Sequence, residues 1–166
     1  MDPPLPGAEA EWEEVVEERS MDTVNMLAVK YNTLDGMWMS HISTELVDEV
    51  WQRLCLAMHR GDLSPHVCSA KVSPRSPPTD DRIHLLCVYN ENYQDTDQVM
   101  RVESLLRRCV GLMGDLRYKP DIFTIIGIYR NNVWGFRPSI YISQETWREK
   151  ESKIIVTGTG TSYQSF

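Results

Sequence analysis

The spacing of apolar residues predicts two long amphipathic helices. In residues 44–60, apolar side chains recur at the 3.6-residue period of a helix that packs on a core. Ser43 precedes this segment as a candidate N-cap, and Gly61 follows it as a terminator. The apolar positions of this helix are Leu46, Val47, Val50, Trp51, Leu54 and Met58. The other predicted helices cover residues 97–110, 23–31 and 121–131, and the helix-prone residues 9–19 form either a short docked helix or a tail.

Short stretches of β-branched and aromatic residues predict strands. They cover residues 37–42, 66–73, 82–89, 115–119 and 137–143. The Pro-rich segment 73–81 predicts an exposed hairpin loop, because proline fits neither a helix interior nor a strand ladder. Residues 121–131 fit a helix after Pro120, although their β-branched content also favours a strand. The whole pattern predicts an α+β fold, a largely antiparallel sheet with helices on one face.

The length of the chain and the polarity along it predict one folded domain with a polar segment on each side. The chain has 166 residues, of which 42% are hydrophobic and 25% are charged, as in ordinary globular proteins. Residues 1–20 form an acidic N-terminal segment. A single α+β domain is expected over residues 21–143. From Gln144 onward polarity rises, and residues 144–166 are expected to be a polar C-terminal tail.

The charge distribution limits the kinds of ligand that this protein could bind. The net charge is −7, which argues against binding of nucleic acid by the whole surface. Residues 1–20 hold seven acidic residues against Arg19 alone, whereas residues 101–166 hold ten basic and six acidic residues. A local anion-binding patch in the C-terminal third is therefore compatible with the sequence, as are ordinary solvated faces.

Cysteine spacing and the N-terminus predict an intracellular protein, cytoplasmic or nuclear. Cys55, Cys68, Cys87 and Cys109 form no Cys-x-x-Cys pair and lie in apolar runs, as expected of small buried thiols in a reducing compartment. The N-terminus lacks the basic and apolar regions of a secretory signal. No apolar run is long enough for a membrane span, so no membrane association is expected.

Nothing in the sequence specifies a reaction, a metal or a cofactor. His66-Val-Cys68 supplies two possible metal ligands, fewer than a zinc site needs. No Gly-x-Ser-x-Gly elbow is present, and the Thr-Gly repeat near residue 157 lacks the Lys-Ser/Thr of a phosphate loop. We therefore expect a non-enzymatic protein without cofactor or metal.

Basic and aromatic residues alternate most densely in residues 118–141. Lys119, Arg130 and Arg137 lie here among aromatic residues that include Trp134. Such a composition is typical of surfaces that stack bases and hold phosphates. The alternative is that the aromatic rings belong to the core. A second basic group, Lys71, Arg75 and Arg82, flanks the Pro-rich loop and could hold a phosphate or be merely solvated.

Several motifs resemble those of a known family. These are Gly36-Met-Trp38-Met, Ala70-Lys-Val-Ser-Pro-Arg75, Leu86-Cys-Val-Tyr89 and the long block Tyr118-Lys-Pro-Asp-Ile-Phe-Thr-Ile-Ile-Gly-Ile-Tyr-Arg-Asn-Asn-Val-Trp134. Over about residues 34–142 the chain resembles the basophilic leukaemia expressed protein family. That family is similar in fold to translation initiation factor 4E, the mRNA cap-binding protein.

The resemblance implies a curved antiparallel sheet backed by helices. Gly36-Met-Trp38 resembles the Gly-Arg-Trp strand start of the cap binder. Lys71, Arg75 and Arg82 fall where that protein has phosphate-binding cations, and Tyr89 lies near a position where it has a tryptophan. In the cap binder, the methylated guanine is expected to stack between two tryptophans supplied upstream of the Gly-Arg-Trp element. Here the only upstream tryptophan is Trp12, so the full pair is not matched.

The sequence is compatible with two functions. The first is an RNA- or nucleotide-binding protein on a 4E-like scaffold, with a local basic patch of Lys71, Arg75, Arg82, Tyr89, Lys119, Arg130, Trp134 and Arg137. The alternative is a protein-interaction or adaptor module with no nucleic-acid ligand, whose acidic N-terminal helix or sheet-backing helices dock a protein partner.

Overall fold

The computed structural model describes residues 7–15, 19–74, 82–145, 152–157 and 162–164. The α-helices there are α1 (Ala8–Glu14), α2 (Met21–Lys30), α3 (Thr44–Arg60), α4 (Thr96–Leu105) and α5 (Asp121–Ile125). A π-helix, Leu106–Val110, continues α4. The strands are β1 (Gly36–Ser43), β2 (Ser69–Val72), β3 (Ile83–Asn90), β4 (Leu116–Pro120), β5 (Tyr141–Glu145), β6 (Ser152–Val156) and β7 (Ser162–Gln164).

The strands form one antiparallel sheet with the order β2-β3-β1-β4-β5-β6-β7. Trp38 on β1 lies opposite Val88 on β3 and Tyr118 on β4, so these side chains share one face of the sheet. The indole N–H of Trp38 donates to the carbonyl of Val99 at 2.9 Å, which places α4 over that face. This confirms the predicted α+β class, a curved antiparallel sheet with helices.

The core lies between this face of the sheet and the helices. Trp38 and Tyr118 from the sheet and Leu54 from α3 are buried in it. The N-terminal segment also belongs to the core, because Trp12 of α1 is fully buried. Trp51 is only partly buried and packs against the edge of the core, and Leu46 is 52% exposed, so not every apolar position of α3 faces inward.

The helix predicted over residues 121–131 is much shorter than expected. Helix α5 ends at Ile125, and Gly127 has a φ of 77°, a left-handed conformation that breaks the helix. The helix predicted over 97–110 starts at Thr96, where the Asp95 carboxylate accepts a hydrogen bond from the Gln98 amide at 3.0 Å, and its last turn is π-helical.

The sheet continues beyond the predicted strands. The strand expected over 137–143 starts only at Tyr141, and β6 and β7 lie within 144–166, the segment predicted to be a polar tail. Strand β6 pairs with β5 and buries Ile154 to 1% exposure. The β-branched run Ile154-Ile155-Val156 is a strand signal, and the prediction missed it because the segment around it is polar.

The expectation that all four thiols are buried was wrong for two of them. Cys87 is buried and Cys109 is half-buried, but Cys55 and Cys68 are exposed. Among the residues the structure describes, no group of three or more potential metal ligands occurs. None of the described helices combines the length and the apolar character needed to cross a bilayer.

Candidate nucleic-acid interface

The face of the sheet turned away from α4 carries positive charge only. Residues alternate between the two faces of a strand, and cross-strand partners share a face. The register therefore assigns Lys71 of β2, Arg117 and Lys119 of β4 and Lys153 of β6 to this face. In β1 to β6 it carries no carboxylate. We call this surface, defined by these four cations, the basic face.

Lys71 and Tyr89 form a cation–aromatic pair on the basic face. Lys71 is exposed on β2, and its Nζ lies 5.0 Å from the centroid of the Tyr89 ring on β3. The pKa of Lys71 is raised, chiefly by the Tyr89 hydroxyl, so the amine stays charged at physiological pH. The pair offers a positive charge for a phosphate beside a ring on which a base can stack.

Lys119 is a second cation next to a tyrosine ring, but it is buried. The residue is 7% exposed, and its Nζ lies 4.1 Å from the centroid of the Tyr129 ring. Burial lowers the pKa of Lys119, and the nearby charge of Asp121 opposes that shift. Within the described part of the chain no carboxylate oxygen lies within 4.0 Å of this amine. Lys119 is thus a buried cation without an ion-pair partner.

Asp121, the first residue of α5, lies close to both lysines. Burial raises the pKa of its carboxyl group, the charge of Asp35 raises it further, and Lys71 and Lys119 oppose the shift. Asp121 also contributes to the raised pKa of Lys71, after Tyr89 and Cys87. Asp121 therefore lies at the border of the basic face, next to Asp35 and near both lysines, and is in ion-pair contact with neither lysine.

The structure brings three of the predicted site residues together, Lys71, Tyr89 and Lys119. Arg82 lies elsewhere, one residue before β3 and five residues from the partner of Lys71, a separation of about 17 Å along an extended strand. Its carbonyl accepts a hydrogen bond from the Thr44 amide at 2.9 Å, at the start of α3. Arg75 lies outside the described residues.

The other three predicted residues lie between α5 and β5. Arg130 and Arg137 are exposed there. Trp134 is not free to stack on a ligand, because its ring contacts the ring of Trp12 edge-on at 5.4 Å and the Arg19 guanidinium lies 5.5 Å from its centroid. Trp134 therefore anchors the N-terminal segment.

Sequence reasoning missed two cations of the basic face, Arg117 and Lys153, as well as Asp121 at its border. Arg117 and Lys119 are two residues apart in one strand, so alternation alone places them on the same face. That signal was present in the sequence. Lys153 could not be found in this way, because its strand was not predicted.

Replacing Lys119 with methionine is expected to stabilise the fold at neutral pH. The lowered pKa means that the folded state disfavours the charged amine, a cost present at every pH below the folded-state pKa and lost only as alkaline solution deprotonates the amine. Methionine keeps the length of the side chain without the charge. We expect a gain of about 1 kcal/mol, measured by urea denaturation at pH 7.

The matched control is Lys71→Met, which removes an exposed lysine whose pKa is raised and should not stabilise the protein. If Lys119→Met is less stable than the wild type, the amine has a stabilising interaction in the fold.

Solved structures that share this fold include translation initiation factors 4E. Schistosome eIF4E complexed with m7GpppA and 4E-BP aligns with a TM-score of 0.52 and 16% identity, over 68% of this chain and 60% of that one. Ascaris suum eIF4E-3 with the m2,2,7G cap aligns with a TM-score of 0.50 and 14% identity, over 67% and 58%. This chain therefore spans about three fifths of the length of these proteins, and the likeness establishes the fold.

A family model identifies the sequence more specifically. The model described as "Basophilic leukemia-expressed protein Bles03" matches residues 9–127. This match covers most of the chain and includes α1, the basic-face strands β1 to β4 and α5. The resemblance inferred from the motifs is thereby confirmed, and the chain belongs to the Bles03 family.

Proposed function

We propose that this protein is a non-enzymatic, intracellular RNA- or nucleotide-binding protein that uses the basic face of a 4E-like scaffold. The observation that carries the proposal is the segregation of charge. A chain with a net charge of −7 has one sheet face whose strands carry four cations and no carboxylate. Polyanions bind such a protein through a local patch, because the remaining surface repels them.

The aromatic residues support single-stranded rather than duplex ligands. Tyr89 lies beside Lys71 and Tyr129 beside Lys119, and Tyr129 is 54% exposed. Accessible rings next to cations suit unpaired bases, whose faces are free to stack.

We further propose that binding does not depend on a methylated cap. Trp12 and Trp38 are buried, Trp134 packs on Trp12, and Trp51 packs against the core. Trp147 lies outside the described residues. Among the described tryptophans there is thus no exposed pair between which a methylated guanine could stack.

The test is fluorescence anisotropy with a short labelled single-stranded RNA, with and without a methylated cap, over a salt series. We expect binding at low salt and no gain from the cap. Replacing Lys71 and Arg117 with glutamine should weaken binding and flatten the slope of log affinity against log salt by about 1.4, because each lost phosphate contact to a single strand removes about 0.7.

The matched control replaces two exposed arginines outside the basic face, Arg60 and Arg101, with glutamine. It changes the net charge by the same amount and should leave the slope unchanged. Equal effects of the two double variants would show that binding follows net charge only. Absence of binding to either RNA at low salt would refute the proposal.

The alternative function, a protein-interaction module, is favoured by one feature of the helical side. A groove of about 400 Å³ is lined by Asn25, Met26, Val29, Lys30 and Gln94. Met26 and Val29 are 66% and 60% exposed, although both are apolar. Exposed apolar side chains beside a groove are typical of protein-docking surfaces. This function gains support if the RNA titration fails.

A further inference from the structure

In the described part of the chain, Lys119 at the middle of the basic face has a largely buried side chain whose amine has no hydrogen-bond acceptor in the protein and stays accessible to solvent. Lys119 is on β4, the fourth of the seven strands, and is 7% exposed. In the described part of the chain its Nζ contacts the Tyr129 ring but forms neither a hydrogen bond nor an ion pair. Buried lysines are normally paired. Three N–H donors are therefore available to an acceptor from outside the chain.

We infer that Lys119 binds the terminal phosphate of the RNA or nucleotide that the basic face holds, which makes the site selective for phosphomonoesters. The inference rests on the proposed function. Met37, the neighbour of Lys119 in the register, is 6% exposed, and the centroid of the Tyr129 ring lies 4.1 Å from the amine nitrogen. A terminal phosphate needs little room to reach an amine that these neighbours partly cover. A phosphodiester within a strand needs room for nucleotides on both sides.

The charge of a phosphomonoester also matches the amine. Its second pKa is about 6, so at neutral pH it is mostly a dianion with three acceptor oxygens, whereas an internal phosphodiester carries one charge. The attraction to an ammonium in a buried site is stronger than to an exposed one, because water screens the pair less. Asp121 opposes anion binding but stays outside ion-pair distance, so it does not occupy the donors of Lys119.

The basic face thus contains exposed cations and one largely buried cation, to which we assign different roles. Lys71 and Arg117 are exposed, and the register places them in one row across the sheet, with Cys87 and Met39 between them. Exposed cations in a row contact phosphates anywhere along a strand and do not distinguish its end. Lys119 lies in the next row and contributes the selection of the end.

The experiment compares RNAs of one sequence that carry a 5′-phosphate, a 3′-phosphate or only hydroxyl ends, by fluorescence anisotropy with an internal label. We expect one of the phosphorylated RNAs to bind about tenfold more tightly than the hydroxyl RNA. The phosphorylated RNA that binds more tightly identifies which end of the strand is bound. A nucleoside 5′-monophosphate should compete better than the nucleoside, which tests the free nucleotide as the source of the group.

Three variants separate the inference from the general binding of RNA. Lys119→Met should remove the difference between the phosphorylated and hydroxyl RNAs. Asp121→Asn should increase it, because a repelling carboxylate is lost. Lys71→Gln should lower the affinity for the phosphorylated and the hydroxyl RNAs by the same factor. Arg101→Gln, on α4, should leave all of these affinities unchanged.

Equal affinity of all three RNAs for the wild type overturns the inference and leaves the proposed function intact. A preference for phosphate that persists in Lys119→Met also overturns it, since another residue then selects the end. If no RNA binds at low salt, both the inference and the proposed function are refuted.

Discussion

Replacing Glu103 with alanine is expected to destabilise the protein by about 3–5 kcal/mol, the cost of breaking a buried ion pair from one side. Glu103 on α4 is fully buried, and its Oε1 accepts hydrogen bonds from Arg107 Nε at 3.0 Å and from Ser143 Oγ at 2.5 Å. Its Oε2 accepts a third from Ser152 Oγ at 3.2 Å. The substitution leaves a largely buried guanidinium without its carboxylate.

The loss extends beyond one pair, because Arg107 joins three parts of the fold. Its Nη1 donates to the carbonyls of Leu112 at 3.0 Å and Gly114 at 2.7 Å, in the segment that follows the π-helix. Its Nη2 donates to Ser143 Oγ at 2.9 Å, on β5. Glu103 fixes the guanidinium in the one position that reaches all of these acceptors. The network therefore holds α4, the π-helix and β5 together.

Urea denaturation of Glu103→Ala measures this effect, and two variants serve as controls. Glu103→Gln keeps the acceptor oxygen and the shape but loses the charge, so it should cost less. Glu49→Ala removes the exposed partner of Arg53, 3.9 Å away, and should cost less than about 1 kcal/mol. A loss below about 1 kcal/mol for Glu103→Ala would mean that the network contributes little to stability.

Features with a local cause were predictable from the sequence. Helix α3 was predicted with the observed bounds, because its apolar period, its acidic first turn and Gly61 all act within one segment. Gly61 ends the helix in the left-handed conformation, with a φ of 81°. Strand β1 was predicted within one residue at each end. In these segments the residue propensities, the apolar period and the terminating residue all predict the same element, and such agreement makes a prediction reliable.

Features that depend on distant contacts were not predictable. Trp134 was assigned to a ligand surface, but its position is set by Trp12, 122 residues earlier in the chain. The pairing of β6 with β5 depends on a distant strand edge, although the β-branched run Ile154-Ile-Val156 is itself a local strand signal. Burial of Lys119 depends in part on Tyr129, which follows α5, a helix that ends at Ile125 rather than at the expected residue 131. Trp134 and Lys119 thus depend on partners that the local pattern does not contain.

Only part of the candidate site was predictable from the sequence, for the same reason. The composition of residues 118–141 indicated a basic and aromatic surface, and Lys71 and Lys119 do share a face of the sheet. Composition could not indicate which cations share that face, because strand order decides it. Arg82 is close to Lys71 in sequence but lies at the other end of β3, whereas Arg117 is distant in sequence but lies in the same row.

Replacing Gly36 with alanine is expected to cost about 3 kcal/mol or more, since overpacking and a disturbed buried hydrogen bond each cost about 1–3 kcal/mol. A Cβ at this position would lie 2.7 Å from Cζ of Tyr118 and closer still to its hydroxyl oxygen. The Tyr118 ring cannot move aside, because it is fully buried and packs on Trp38. Its hydroxyl donates to Asn90 Oδ1 at 2.6 Å, so displacement would also break this bond.

Urea denaturation of Gly36→Ala, Tyr118→Phe and the double variant measures both contributions. Tyr118→Phe alone should be destabilising, because it leaves the buried Asn90 oxygen without its donor. In the Gly36→Ala background it also removes the closest atom, so the double variant should be more stable than the sum of the two losses predicts. Gly7→Ala is the control, since a Cβ there meets nothing within 4 Å, and it should cost no more than about 1 kcal/mol, the penalty for alanine at the N-cap of α1. Simple additivity in the double variant would show that the tyrosine hydroxyl is not what requires glycine at the start of β1.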